Sequence, residues 1–158
     1  MKTCYIFGAA DGLPDRFKKN TDTMLAIKTG FERGYDRFII YGGVGGRPDH
    51  TFANYQTLCY ISRRGGRGYL CFNGYTACCI TDGEMNFTAR EGTLSVFAMS
   101  GKAEGVTLRG VLYPLENTEL ACDFPLGVSN EFTGKPATVS VKNGTLLVIW
   151  QGSADAPE

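Results

Sequence analysis

The sequence predicts an incomplete α/β layer followed by an antiparallel β-sandwich domain. Helical periodicity is confined to the first part of the chain, where strand-like runs, helices and a glycine-rich loop alternate. After the glycine- and arginine-rich run at residues 64–68 this periodicity disappears, and short apolar runs separated by turn residues take over. We therefore predict an α/β domain over residues 1–64 and a β-sandwich domain over residues 65–158.

The composition is that of a globular protein and limits its partners. Of 158 residues, 43% are hydrophobic and 20% are charged, and the 16 basic residues balance the 16 acidic ones. Because there is no excess of positive charge, we predict no nucleic-acid partner and no membrane partner. The six cysteines lie in apolar runs without a CxxC pair, and the N-terminal run is too short for a signal peptide. These features indicate free thiols in a cytoplasmic protein.

The α/β part contains two predicted strands and two predicted helices. Apolar residues spaced at i, i+3 and i+7 indicate the first helix, with Thr21 or Asn20 as its N-cap. A βαβ unit needs ~30 residues, so two strands and two helices cannot easily cover both faces of a sheet. We therefore predict that part of this layer is missing. The predicted strands are Cys4–Phe7 and Arg37–Tyr41, and the predicted helices are Thr21–Arg33 and Asp49–Arg63.

The β part contains seven short apolar runs that predict strands. Turn pairs such as Asn73-Gly74 and Asp82-Gly83 separate them, and Asn143-Gly144 is the strongest hairpin signal in the chain. The predicted strands are Tyr69–Phe72, Thr76–Thr81, Leu94–Met99, Val106–Leu112, Thr118–Cys122, Ala137–Val141 and Thr145–Trp150.

The run GGVGGRPDH at residues 42–50 lies between a predicted strand and a predicted helix. Glycines let backbone N–H groups approach phosphate oxygens, and the planar guanidinium of Arg47 can hold two such oxygens. The helix N-terminus adds positive potential, and Asp49 can anchor a nucleotide or a metal-bound water. Taken alone, the loop is also compatible with a plain tight turn, because it carries neither the Walker A nor the Rossmann pattern.

Two further segments carry polar residues with alternative interpretations. Asp22 stands at the head of the first helix, where a carboxylate either stabilises the helix terminus or binds magnesium beside a triphosphate. Ser129 and Asn130 lie in the run LGVSNEF, which is either a surface turn or a set of donors and acceptors for a heteroaromatic amine.

These segments, in this order, resemble bacterial thiamine pyrophosphokinases (thiamine diphosphokinases). The run NTDTMLAIK…YGGVGGRPDHTFAN at residues 20–54 resembles the middle of these enzymes, where a TD pair opens a helix and a GGRxDH loop follows the next strand. The runs EGVTLRGVLYPLEN and DFPLGVSNEFTGKPATVSVKNGTLLVI, at residues 104–117 and 123–149, resemble their C-terminal β-domain. The chain is identified as a member of this family.

The resemblance implies transfer of a pyrophosphoryl group from ATP to the hydroxyethyl oxygen of thiamine, giving thiamine diphosphate and AMP. It further implies Mg²⁺ as cofactor and a homodimer whose active sites are shared between the α/β domain of one subunit and the β-domain of the other. Residues 1–64 would then be a nucleotide-binding catalytic domain, and residues 65–158 a thiamine-binding domain.

Carried over by position, the resemblance also implies roles for individual residues. Asp22, Arg47 and Asp49 would be catalytic, with Asp22 as a magnesium ligand, and Ser129 and Asn130 would bind thiamine. The residues that would contact ATP are Thr21, Gly45, Gly46, Arg47 and Asp49.

The sequence departs from the family between the first strand and the TD helix. Family members carry an acidic ADGG-like element and a GDxDS-like loop there, and this chain has neither, since Ala10–Gly12 follows the first strand directly. We place the gap between Lys19 and Asn20. Either the protein has a true internal deletion, or the sequence was assembled from ordered residues and omits a mobile segment. If the deletion is real, the alternative function is that of a non-catalytic module that binds thiamine and nucleotide.

Overall fold

The described residues form two helices and eleven strands arranged in two β-sheets. The structure is a computed structural model, which describes residues 1–7 and 21–154. The helices are α1 (Asp22–Glu32) and α2 (Pro48–Ser62). The strands are β1 (Thr3–Phe7), β2 (Arg37–Tyr41), β3 (Arg67–Phe72), β4 (Tyr75–Thr81), β5 (Glu84–Phe87), β6 (Thr93–Ala98), β7 (Lys102–Arg109), β8 (Leu115–Ala121), β9 (Asn130–Glu131), β10 (Ala137–Ser140) and β11 (Thr145–Gln151).

A seven-stranded sheet with the order β1-β2-β3-β4-β11-β6-β9 forms the middle layer. Strands β1, β2 and β3 are parallel to one another, and all later neighbours are antiparallel. Helices α1 and α2 pack on one face of this sheet, and the four-stranded sheet β5-β10-β7-β8 packs on the other. The predicted fold class, an α/β layer followed by an antiparallel β-sandwich, is confirmed.

The alternation of side chains along the middle sheet divides the core into two clusters. In β2, Phe38 and Ile40 belong to the cluster beneath the helices, whereas Ile39 belongs to the cluster between the two sheets. In β4 the same alternation sends Cys79 towards the helices and Cys78 towards the second sheet. Because both faces are covered there, these strands are continuous apolar runs rather than alternating ones.

Close packing of α1 on β2 requires a glycine in the helix. A Cβ added at Gly30 would lie 2.5 Å from Cε1 of Phe38, whose ring is fully buried. The ring of Phe31 also packs against Phe38, with ring centroids 4.9 Å apart. The small residue therefore sets how closely α1 can approach the sheet.

The second face of β1 is open to solvent, and so is the end of β2 at Tyr41. Tyr5 and Phe7 have exposed fractions of 62% and 73%, and the ring of Phe7 stacks on that of Tyr41 with centroids 5.4 Å apart. No element within residues 1–7 and 21–154 covers these rings. Within the described residues, helices therefore cover only one face of the α/β layer. The gap predicted between Lys19 and Asn20 lies outside the described residues and stays a prediction.

The middle sheet is continuous across the predicted domain boundary at residues 64 and 65. Strand β3 follows that boundary, yet it pairs in parallel with β2, with Ile39 opposite Tyr69. Both parts of the chain therefore contribute to one sheet, and the division into domains stays a prediction.

The predicted hairpin at Asn143-Gly144 is wrong. Strand β10 before it pairs with β5 and β7, whereas β11 after it pairs with β4 and β6, so the chain crosses here from one sheet to the other. Two hydrogen bonds with Asp82 fix this crossing: its side chain accepts from the Gly144 N–H at 2.7 Å, and its own N–H donates to the Gly144 carbonyl at 3.1 Å.

A two-residue hairpin does occur at Asn73-Gly74, between β3 and β4. Both residues have positive φ angles, 48° and 78°, as a type I′ turn requires. All six cysteines are free thiols. Neither of the two described helices is long and apolar enough to span a membrane.

Candidate functional site

The amino ends of both helices lie at the edge of the sheet where β1 and β2 end. Helix α1 leads back to the start of β2, and α2 begins after the loop that follows β2, so both helices begin at the carboxyl edge of these parallel strands. Helix amino ends carry unpaired N–H groups and partial positive charge. This edge is therefore suited to an anion such as a phosphate group.

At the start of α1, Thr21 is the N-cap and its hydroxyl oxygen accepts a hydrogen bond from the Met24 N–H at 3.1 Å. This confirms one of the two predicted caps, since Asn20 lies outside the described residues. Asp22 follows in the first turn and is exposed. It lines a cavity of ≈ 490 Å³ between β1 and α1, together with Tyr5 and Leu25.

The glycine loop between β2 and α2 is anchored at its first half. Gly42 adopts a φ angle of 73°, which favours glycine. A Cβ at Gly43 would lie 2.5 Å from Cδ1 of Leu70, and the Gly43 carbonyl accepts a hydrogen bond from Nδ2 of Asn54 at 2.7 Å. The buried Asn54 side chain thus ties the loop to α2, a positioning role that no pattern in the sequence revealed.

The second half of the loop has no such structural reason for glycine. Gly45 and Gly46 have ordinary φ angles, and a Cβ at either position would meet no atom within 4 Å. Their backbone therefore borders open space beside the amino end of α2. The loop therefore leaves room for a bound phosphate group beside these two glycines.

Arg47 and Asp49 form an exposed, bidentate ion pair at the start of α2. Nη2 of Arg47 lies 2.6 Å from Oδ2 of Asp49, and Nε lies 3.2 Å from Oδ1. The hydrogen bond to Asp49 raises the pKa of Arg47, and the same bond lowers the pKa of Asp49 below its ordinary value. The guanidinium has five N–H donors, so it can bind Asp49 and a phosphate oxygen at once.

The segment that contains Ser129 and Asn130 is held against β6 at the far side of the sheet. A Cβ at Gly127 would lie 2.4 Å from the Val96 carbonyl oxygen, so only glycine permits this approach. Ser129 is exposed, has a φ angle of 59°, and its N–H donates to the Ser95 hydroxyl at 3.1 Å.

Asn130 is buried, with an exposed fraction of 4%, and its side chain binds the neighbouring loop. Its Oδ1 accepts from the Tyr113 N–H at 3.0 Å, and its Nδ2 donates to the Tyr113 carbonyl at 2.7 Å. The structure therefore gives this amide a positioning role, and direct contact with a ligand stays a prediction.

The segments that lead to and pair with Ser129–Glu131 carry exposed apolar side chains, which we call the apolar rim. Their exposed fractions range from 44% to 65%. They come from the loop after β7 and from the segment before β9, which Asn130 joins. The members of the apolar rim are Leu112, Tyr113, Phe124, Leu126 and Val128.

The two groups of predicted site residues lie far apart within one chain. The loop with Arg47 follows β2, whereas Asn130 begins β9, and five strand-to-strand steps separate these strands in the sheet. At about 4.8 Å per step the separation is about 24 Å. Thr21, Asp22 and the glycine loop therefore lie at the same edge of the sheet, whereas Ser129 and Asn130 lie far from them.

The described part of the chain, residues 1–7 and 21–154, contains no group of three or more histidine, cysteine or acidic side chains that could hold a metal ion. Asp22 is therefore not part of a preformed metal cluster there.

Two family models match the sequence. The model described as "Thiamin pyrophosphokinase, catalytic domain" matches residues 12–69, and the model described as "Thiamin pyrophosphokinase, vitamin B1 binding domain" matches residues 84–146. No curated protein matches the chain.

Solved structures share the fold. Thiamine pyrophosphokinase from Bacillus subtilis aligns with a TM-score of 0.81 and 24% identity, over 94% of this chain and 78% of its own. A thiamin pyrophosphokinase family protein from Enterococcus faecalis aligns with a TM-score of 0.71 and 25% identity, over 89% of this chain and 67% of its own. A protein from Lactobacillus plantarum aligns with a TM-score of 0.71 and 28% identity, over 89% of this chain and 69% of its own.

Proposed function

This chain belongs to the thiamin pyrophosphokinase family, and we propose that it transfers a pyrophosphoryl group from ATP to the hydroxyl of thiamine, giving thiamine diphosphate and AMP. The observation that carries this proposal is the presence, in one chain, of segments that match both the catalytic and the vitamin B1-binding models. The matches to the family models give no support to the alternative of a binding module without activity.

In this reaction the thiamine hydroxyl oxygen attacks the β-phosphorus of ATP. The bond from that phosphorus to the α-phosphate oxygen breaks, and AMP leaves. Negative charge grows on the phosphate oxygens, so catalysis depends mainly on positioning and on positive groups. The guanidinium of Arg47 and the N–H groups of Gly45 and Gly46 would supply both, with Asp49 holding Arg47 in place.

Magnesium in such sites is typically held by one or two carboxylates together with substrate phosphates and waters. Asp22 fits this pattern as a single exposed carboxylate in the first turn of α1, at the same edge of the sheet as the glycine loop. We assign it as the proposed magnesium ligand and Thr21, whose hydroxyl caps the same helix end, as a nucleotide contact. When bound, the ion would neutralise part of the charge on the phosphates.

Thiamine carries a cationic thiazolium ring and an aminopyrimidine ring, and the apolar rim suits both. The exposed ring of Tyr113 offers a face to a cation, and the exposed Ser129 hydroxyl can donate or accept a hydrogen bond. Asn130 would contribute by fixing the backbone of Tyr113.

Since about 24 Å separates the phosphate end from the thiamine end within one chain, we propose a homodimer in which each active site combines the glycine loop of one subunit with the apolar rim of its partner. The separation of β2 and β9 in the sheet supports this arrangement. A cytoplasmic location is also proposed, because six free thiols suit a reducing compartment.

The test is to incubate the purified protein with ATP, Mg²⁺ and thiamine and to separate the products. The proposal predicts equal amounts of AMP and thiamine diphosphate. Release of ADP with thiamine monophosphate would instead show transfer of a single phosphoryl group. Saturable thiamine binding in calorimetry without any product would favour the binding module.

A further inference from the structure

Two buried cysteines in contact lie between helix α2 and strand β4. The sulfur atoms of Cys59 and Cys79 are 3.4 Å apart, and one thiol donates a hydrogen bond to the other. Their exposed fractions are 7% and 1%, and both belong to the core cluster beneath the helices. Neither residue has a part in the proposed pyrophosphoryl transfer.

From this contact we infer that Cys59 and Cys79 form a modification site, a dithiol that a small peroxide converts to an intramolecular disulfide. The bond in a disulfide is about 2 Å long, so the two sulfurs need to approach by only about 1.4 Å. Side-chain rotation and a slight shift of α2 can supply this movement without breaking strand pairing.

The surroundings make Cys59 the attacking thiol. The hydrogen bond with Cys79 lowers the pKa of Cys59, and the nearby positive charge of Arg63 lowers it further. Burial raises the pKa of Cys79 well above its ordinary value, so this thiol keeps its proton. Thiolate is the reactive form towards peroxides.

Cys59 is also the nearer of the two to solvent. It lies one helical turn before Ser62 and Arg63, which reach a row of hydrogen bonds that includes Thr81 and Thr145 at the end of the sheet. Arg63 is exposed. This polar end of α2 is therefore the side from which a small, uncharged oxidant would reach the Cys59 sulfur.

The reaction balances in two steps with hydrogen peroxide as oxidant. The Cys59 sulfur attacks one peroxide oxygen, the O–O bond breaks, and Cys59 sulfenic acid and water form. The Cys79 sulfur then attacks the Cys59 sulfur, the S–O bond breaks, and the departing hydroxide takes the Cys79 proton as water. Two thiols lose two electrons, and one peroxide is reduced to two waters.

A disulfide here would link residues 20 positions apart and tie α2 to β4. Cross-links over loops of this length stabilise folded proteins. We expect the oxidised protein to melt roughly 5–10 °C higher than the reduced protein. Dithiothreitol should reverse this shift.

The test uses the intact chain treated with hydrogen peroxide, then denatured, alkylated and digested with trypsin. We expect a cross-linked peptide pair joining Cys59 to the peptide that holds Cys79, and four alkylated thiols instead of six. If Cys122, the exposed cysteine, is oxidised while Cys59 remains alkylated, the inference is overturned.

Cys78 supplies a matched control, because it lies beside Cys79 but faces the other core cluster. Cys78→Ser should retain the cross-link and Cys79→Ser should lose it. The reverse result would assign the bond to Cys78 and contradict the inference. Because the wild-type peptide map needs no variant, the inference remains testable even if a substituted chain does not fold.

Discussion

The side-chain amide of Asn130 holds the backbone of Tyr113 through two hydrogen bonds, at 3.0 and 2.7 Å. Asn130 is buried, whereas the Tyr113 side chain has an exposed fraction of 63%. A buried polar residue at the start of β9 therefore fixes the position of an exposed aromatic residue in the loop after β7. This contact organises the apolar rim that we propose as the thiamine end of the active site.

Substitution of Asn130 by alanine should destabilise the fold and weaken thiamine binding together. The change leaves the N–H and carbonyl of Tyr113 without their partner, at a cost of about 1–3 kcal/mol in the free energy of unfolding. Urea denaturation and the KM for thiamine measure the two effects. Ser129→Ala, at an exposed position, should change stability by less than about 0.5 kcal/mol. Equal stability of the Asn130→Ala variant and the wild type would contradict this account of the contact.

Alanine at Gly45 or Gly46 should impair ATP use without affecting stability. Neither glycine is required by its φ angle or by close neighbours, but a Cβ there would occupy the space proposed for phosphate. We expect the KM for ATP to rise about tenfold or more, since a hydrogen bond to a charged group contributes about 1.5–3 kcal/mol. Gly42→Ala is the matched comparison and should destabilise the protein by roughly 1–2 kcal/mol, because Gly42 has a φ angle of 73°. An unchanged KM for ATP in both Gly45→Ala and Gly46→Ala would contradict the proposal that the backbone here binds phosphate.

Replacement of Arg47 by lysine should reduce activity although the charge is kept. Lysine lacks the planar guanidinium whose several N–H groups can bind Asp49 and a phosphate together. We therefore expect kcat/KM for ATP to fall about 10- to 100-fold. The melting temperature should not change, because the ion pair with Asp49 is exposed. Steady-state kinetics and thermal melts distinguish a role of Arg47 in the reaction from a role in stability. A lower melting temperature with normal kinetics would show that Arg47 has only a structural role.

Alkaline pH should destabilise the protein through Cys78. Complete burial raises the pKa of this thiol to about 12, against 9.0 for an ordinary thiol. The stability that the buried, protonated Cys78 thiol contributes is therefore fully present below about pH 9 and is lost as the pH rises towards 12. Urea midpoints measured near about pH 8 and about pH 10.5 should differ less in Cys78→Ala than in the wild type. Cys122→Ala, at an exposed position, is the control and should show the same difference between the two urea midpoints as the wild type. If Cys78→Ala also shows the wild-type difference, Cys78 is not the group responsible for the loss of stability.

Much of the fold follows from local patterns in the sequence. The strand at Arg37–Tyr41 is predicted with its observed bounds, because a short run of bulky apolar residues is buried on both faces. The helix bounds agree to within one residue, since Thr21 caps α1 and Pro48 begins α2. Strands β5 and β9 were not predicted: β9 has only two residues, and β5, Glu84–Phe87, has only two apolar residues to mark it.

Contacts between distant residues could not be predicted in the same way. The pairing of Asn54 with Gly43 and that of Cys59 with Cys79 depend on how α2 lies across the sheet, which no local pattern encodes. Likewise Asn143-Gly144 carries the residues of a hairpin, yet hydrogen bonds with Asp82 make it a crossing between sheets. The candidate site residues were predicted from local patterns and their roles from the family resemblance, whereas their separate placement across the sheet follows only from the topology.

The central claim is that one active site combines the glycine loop of one subunit with the apolar rim of another. The direct measurement mixes two variants, Arg47→Ala and Tyr113→Ala, after each is shown to be folded and nearly inactive with ATP, Mg²⁺ and thiamine. Random exchange of subunits would give mixed dimers that each contain one intact site. Thiamine diphosphate formation should then recover to about a quarter of the wild-type rate. A mixture that stays as inactive as its two components, while the wild type is active under the same conditions, would contradict the claim.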